Sequence, residues 1–335
     1  MKTKKNSNKK LYIYFLVAFG IPVILGVFMG IAYHRQQDVS VFPLIWMYLP
    51  ATAVMTGAML TGEKKMMPDG QESPAPKFFY GVFSAVTAVM IILAVLNVFL
   101  PDAGLAMWIN YLVYAVSLVS LIAIPCNKKD KREAYGLRLT KNWKWSLAGI
   151  GIFVLIYLVL SAVSMVPAYL MGEDTEAFSL NPDLGMWLGL ILPLNLLLSF
   201  TAFFGEEYGW RYYLQPVLQE KFGLKKGVIA LGLLWGIWHL PINLFYYSPS
   251  TSVQSILVQL AGCVGMGIFF GWVYMRTRNV WAVTVIHFLN NNLGLALFNV
   301  SSAGVERQWS DTIFTILLYL IVYMPFLLAK EYREK

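Results

Sequence analysis

Apolar runs of about twenty residues recur from one end of this chain to the other, and each is long enough to cross the hydrocarbon core of a bilayer as a helix. In that medium every backbone N–H and C=O must be satisfied within the protein, so a spanning segment is either a helix or part of a closed barrel. Barrel strands are short and alternate polar with apolar residues. The runs here are continuous, so the expected fold is all-α: a polytopic integral membrane bundle of about ten transmembrane helices. The 335 residues, 58% hydrophobic and 13% charged, leave no stretch that reads as a soluble domain.

The predicted spans cover about 11–33, 42–60, 78–100, 104–125, 145–171, 185–212, 227–246, 253–275, 280–298 and 311–329. Met1 to Lys10 carries five lysines, and the apolar run behind it is longer than a signal-peptide core and lacks a small-x-small cleavage site, so it reads as a retained first span. A cytoplasmic N-terminus places 24 of the 26 Lys and Arg residues inside, leaving Arg35 and Arg307 outside. Glu173, Asp174, Glu176 and Asp183 make the outer side acidic. Both termini are therefore expected in the cytoplasm. The net charge of +8 is a topology signal rather than the footprint of a nucleic-acid partner. Cys126 and Cys263 lie far apart in different contexts and suggest neither a disulfide framework nor a zinc ribbon.

Residues 1–175 contain no acid or base well inside a span and read as scaffold. The 61–77 connection, with Pro68, Gly70, Pro74 and Pro76, is rich in turn formers. The basic 126–144 segment, with Trp143, reads as lying against anionic lipid. The chemistry collects in 185–330. There Phe203 to Pro216 carries two adjacent glutamates at the end of an apolar run, where a carboxylate is costly unless it is neutralised or used. Glu207 and Arg211 share a helical face and are expected to pair. Glu206 points about 100° away, without that partner. Pro193 and Asn195 are expected to interrupt this span, and Pro216 to stop its helix.

Two of the three histidines fall within later spans. His239 follows Trp235 by four residues, and His287 precedes Asn291 by four, so imidazole and amide can address one oxygen. Asn290, three residues from His287, could compete for that role by spacing alone; it and Asn292 read as hydrogen-bonding to neighbouring helices. Two histidines and a glutamate on three separate helices point to a shared functional cavity, because ionisable residues inside a membrane usually converge on one.

Glu206-Glu207-x-x-x-Arg211, the aromatic Trp235 before His239, and His287-x-x-x-Asn291 resemble the three motifs of the CPBP family of intramembrane proteases. That family includes the type II CAAX prenyl endopeptidases and the bacterial Abi and bacteriocin self-immunity proteins. The resemblance covers about 185–330 and implies an intramembrane endopeptidase core there, acting on a membrane-associated or lipidated protein or peptide. It implies Glu206 as the base, His239 as a holder of the same water, His287 and Asn291 as oxyanion donors, and Glu207 with Arg211 as a structural pair. It leaves open whether the water is bound to a metal such as zinc, which Glu206, His239 and His287 could ligate, or needs none. Two positions depart from the motifs: Trp235 stands where phenylalanine is usual, and Tyr212 follows Arg211 where glycine is common. The second bears on substrate preference. The expected setting is a bacterial plasma membrane with the site open to the cytoplasm. The competing classes are a non-catalytic immunity or scaffold protein that binds a toxin or a membrane partner, and a transporter, which would show internal repeats.

Overall fold

A computed structural model describes residues 2–170, 179–300 and 303–333. Among them, nine helices are long and apolar enough to cross a membrane: α1 (Asn8–His34), α2 (Val41–Thr61), α3 (Lys77–Phe99), α4 (Leu105–Ala123), α5 (Trp143–Val166), α6 (Leu184–Phe222), α9 (Pro249–Thr277), α10 (Val280–Phe298) and α11 (Trp309–Leu328). A tenth passes the same test as a bent pair, α7 (Leu224–Trp238) and α8 (Leu240–Tyr247). The all-α membrane bundle expected from the sequence is therefore the fold observed. Glu173, Asp174 and Glu176 lie outside the described residues; Asp183 is within them.

The turn-rich 61–77 connection is folded as a hairpin, β1 (Lys64–Met66) paired antiparallel with β2 (Glu72–Pro74), with Lys65 opposite Ser73. Gly70, at φ +80°, supplies the left-handed turn residue that Pro68-Asp-Gly announces.

Prolines do not end helices where the sequence suggested. α6 runs through both Pro193 and Pro216 to Phe222. A proline lacks the N–H that would bond back one turn, and its ring collides with the carbonyl four residues earlier. Here a wider π-turn precedes it: Trp187–Ile191 ends two residues before Pro193, and Tyr208–Leu214 two before Pro216. The same spacing recurs with Leu16–Gly20 before Pro22 and Asn243–Tyr247 before Pro249. An i→i+5 turn moves the offending carbonyl away, so the helix continues past Pro22, Pro193 and Pro216 without a break.

The chain divides into two compact units. The first comprises Met1–Lys141, Leu198–Pro216 and Asn279–Trp281. Its core is aromatic, with Tyr14, Trp46, Tyr48, Tyr80, Phe83, Phe204, Tyr208 and Trp210 buried. Gly205 and Gly209, one helical turn apart on α6, lie against the backbone of α2: a Cβ at Gly205 would strike the Met47 carbonyl, and one at Gly209 would strike Pro50. Such small-x-x-x-small contacts let two helices approach closely without a hydrophobic driving force, which lipid does not supply.

The second unit comprises Asn142–Leu197, Val217–Arg278 and Ala282–Lys335. Its α7 repeats the device: a Cβ at Gly232 would meet Val264 Cα at 2.6 Å, and one at Gly236 would meet Leu260 Cδ1 at 2.7 Å, both on α9. Val228, Ile268 and Tyr332 form a buried cluster, and the Tyr332 hydroxyl donates to the Ile268 carbonyl at 2.6 Å.

These contacts separate essential glycines from replaceable ones. Gly209→Val forces backbone apart and should cost about 1–3 kcal/mol or more. Gly151→Ala enters open space on α5 and should be neutral or stabilising by roughly 0.5–1 kcal/mol. Thermal unfolding in detergent should show a clear drop for the first variant and none for the second.

Candidate active site

The segment Phe204 to Tyr212 gives each face of its helix a separate task, one turn apart in every case. Phe204, Tyr208 and Tyr212 stack along one face, with centroids 4.9 and 4.4 Å apart, and Trp281 extends the column at 4.8 Å from Phe204. Lys65 of the hairpin closes its other end, with Nζ 4.5 Å from the Tyr212 ring centroid and hydrogen-bonded to its hydroxyl. The next face carries Gly205 and Gly209. The remaining two carry the acids.

Glu207 and Arg211, both 0% exposed, are paired as their spacing predicts, with Nε donating to Oε2 at 3.0 Å. Glu206, 3% exposed, does not lack a partner as expected: the Trp210 indole Nε1 donates to its Oε2 at 3.2 Å. Trp210 is itself wedged edge-on between Tyr14 and Phe19. The indole thus fixes one carboxylate oxygen, and its i,i+4 spacing from Glu206 was the signal available in the sequence.

The helix is held from several sides. Thr201 shares hydrogen bonds with Tyr48 at 2.9 Å and Ser117 at 2.7 Å, and the Tyr208 hydroxyl donates to the Tyr135 carbonyl at 2.8 Å. Gly136, at φ +68°, lies against the Tyr212 ring, where a Cβ would not fit. Tyr212, the departure after Arg211, is therefore a packing element of the first unit.

In the second unit the bent span breaks at His239. Pro241 has no N–H to continue the ladder, and α7 ends at Trp238 while α8 leaves at 42°. The amide of His239 turns to the Gly236 carbonyl at 3.1 Å, one residue short of the helical register. The Trp235 carbonyl, which that amide would otherwise hold, receives the imidazole of His239 instead, Nδ1 lying 2.7 Å away. A carbonyl can only accept, so Nδ1 carries a proton and a neutral ring presents its lone pair at Nε2. The break in the helix thus sets the tautomer.

Trp235 also brings the two histidines of this unit together: its ring meets His239 edge-on at 5.9 Å and His287 edge-on at 5.6 Å. Trp238 at 5.0 Å from His239 and Phe270 at 6.0 Å from His287 complete an aromatic surround. Both imidazoles are buried. One turn beyond His287, Asn291 is exposed and accepts from the Asn290 amide at 3.0 Å. Asn292 instead bonds Asn195 at the start of α6, at 2.9 Å. Asn243 and Ser255, which sequence reasoning passed over, hydrogen-bond beside His239. Among the described residues, no three His, Cys, Asp or Glu side chains are grouped to hold a metal ion.

Residues 187–293 match the family described as "Type II CAAX prenyl endopeptidase Rce1-like". That stretch contains Glu206, Glu207, Arg211, Trp235, His239, His287 and Asn291. The chain is also similar to "CAAX prenyl protease 2" of Methanococcus maripaludis, 26% identical over 183 residues. The similarity covers 52% of this chain and 66% of the relative, just under two thirds of its length.

The two acids should separate in a stability measurement. Glu207→Gln leaves a fully buried guanidinium without its counter-charge and should cost about 3–5 kcal/mol. Glu206→Gln keeps a partner for the Trp210 indole and should unfold within about 1 kcal/mol of wild type. Unfolding of both purified variants in the same detergent checks the contrast.

Proposed function

Taking as premise that the chain carries an Rce1-like domain of the type II CAAX prenyl endopeptidase kind over residues 187–293, we propose that it is an intramembrane endopeptidase of that type. The observation that carries the reading is the contact of the buried His239 Nδ1 with the Trp235 carbonyl at 2.7 Å, which in a neutral ring makes Nε2 the acceptor. The functional module is 185–330, with 1–175 as its scaffold.

In this mechanism Glu206, oriented by Trp210, takes a proton from a water molecule as its oxygen attacks the scissile carbonyl carbon. His239 holds that water through Nε2. The carbonyl π electrons move to oxygen, and the resulting oxyanion accepts hydrogen bonds from His287 and Asn291. Collapse of the intermediate breaks the C–N bond, and the proton held by Glu206 passes to the leaving amine. Glu207 and Arg211 keep the helix end in place. The substrate is a membrane-associated protein or peptide whose cleavage site reaches the cytoplasmic side. A prenylated C-terminus is the first candidate, by analogy with the similar CAAX prenyl protease 2. The arrangement of Lys and Arg supports cytoplasmic termini, in a bacterial plasma membrane.

The test uses purified protein in liposomes with a farnesylated Cys-a-a-X peptide and an unprenylated transmembrane peptide as alternative substrates, alongside mass spectrometry of new termini in cell membranes. Wild type should generate cleaved termini. Glu206→Gln should lower kcat by about 10²–10⁴, and Asn291→Ala by about 10²–10³ with little change in KM. Identical termini from wild type and a folded Glu206→Gln variant would overturn the reading.

A further inference from the structure

We propose that Asn243 and Ser255 form a clamp that sets the bend at His239 and thereby aims its imidazole, which makes both of them positioning residues; this rests on the peptidase reading above. The Asn243 side-chain amide donates to the His239 carbonyl at 2.9 Å, and the Asn243 backbone N–H donates to the same oxygen at 3.0 Å. The Ser255 hydroxyl donates to Asn243 Oδ1 at 2.6 Å. Asn243 is 1% exposed and Ser255 5%.

Two polar side chains this deeply buried in apolar spans are expensive unless each finds a partner, and a leucine and an alanine would fill the same volume at no polar cost. What the polar pair adds is direction. Ser255 lies in the first turns of α9, and Asn243 one turn beyond the break, on the short arm. The long arm, α7, is already seated on α9 through Gly232 and Gly236. Both arms of the bent span are therefore fixed to one straight helix, the long arm by backbone contact and the short arm by the Ser255–Asn243 hydrogen bond. With both sides of the bend tied to the same reference, the angle at His239 is determined, and with it the register that leaves the Trp235 carbonyl open to Nδ1. α9 also brings Cys263 Sγ to 3.9 Å from that nitrogen, so α9 contacts the ring itself. A bend held only by Pro241 would be a swivel, because proline removes a hydrogen bond without supplying a new one.

The chain has three histidines, few enough for ¹⁵N-histidine NMR of the whole protein in bilayers, with His239→Gln identifying the His239 signals. Wild type should show a protonated, strongly hydrogen-bonded Nδ1 and an unprotonated Nε2. In Asn243→Leu the His239 signals should shift toward a mixture of tautomers, and kcat should fall by about 10- to 100-fold, the scale of a misplaced catalytic group, with KM within about two-fold. Ser255→Ala should move both readouts in the same direction by less, and Ser255→Thr, which keeps the hydroxyl, should restore them. Ser255→Ala carries the comparison alone if Asn243→Leu does not fold. Unchanged His239 signals and unchanged kcat in folded variants would overturn the clamp, as would an effect confined to KM. A wild type that cleaves nothing, yet whose His239 signals respond to Asn243→Leu, would sink the peptidase reading and uphold the clamp.

Discussion

A backbone polar group cannot be left unpaired in hydrocarbon, and that constraint governs every irregularity in this protein. Each proline removes a donor, and the fold responds in one of two ways. Where the helix is to continue, a π-turn placed ahead of the proline widens the ladder, as at Pro22, Pro193 and Pro216. Where the helix is to bend, the amide of His239 turns to Gly236, and the Trp235 oxygen it gives up is met by the His239 imidazole. The second solution is the more consequential. A demand of the solvent, that every carbonyl be met, becomes a fixed protonation pattern on an imidazole.

The acid-bearing segment meets a different difficulty, that of placing two carboxylates and a guanidinium among aromatic rings. Its answer is a division of faces. One turn of spacing separates an aromatic from the next aromatic, a glycine from a glycine, Glu206 from Trp210 and Glu207 from Arg211, so four sets of partners are engaged without competing. On one face the Arg211 guanidinium meets the Glu207 carboxylate in an ion pair. The hydrogen bond on the neighbouring face engages Oε2 of Glu206 and orients the group.

Much of this was legible in the sequence because it follows from period and composition. The spans were set by run length, and the Glu207–Arg211 pair by i,i+4 spacing. The same rule, applied one residue earlier, would have found Trp210 beside Glu206, but an indole next to an acid reads as packing until its nitrogen is placed. The two Gly-x-x-x-Gly pairs were equally visible, and their meaning depended on which helices they face. The prolines misled for a physical reason: a helix-breaking residue was read as a helix end at Pro216, when a wider turn nearby absorbs the clash. The span predicted over about 227–246 is present as a bent pair, broken at His239 just ahead of Pro241. Tertiary pairing of single polar groups, such as Ser255 with Asn243, leaves no periodic trace at all.

The glycine contacts carry one more implication, for how such a protein can change over time. Gly205, Gly209 and Gly232 rest largely on the main chain of the helix opposite, and main chain has the same shape whatever residue it carries. Side chains on the receiving helices can therefore drift while the seat remains, whereas the glycines themselves cannot. The tolerance is lopsided: freedom accumulates on the supporting helices and rigidity on the ones that carry the two acids and lead into His239.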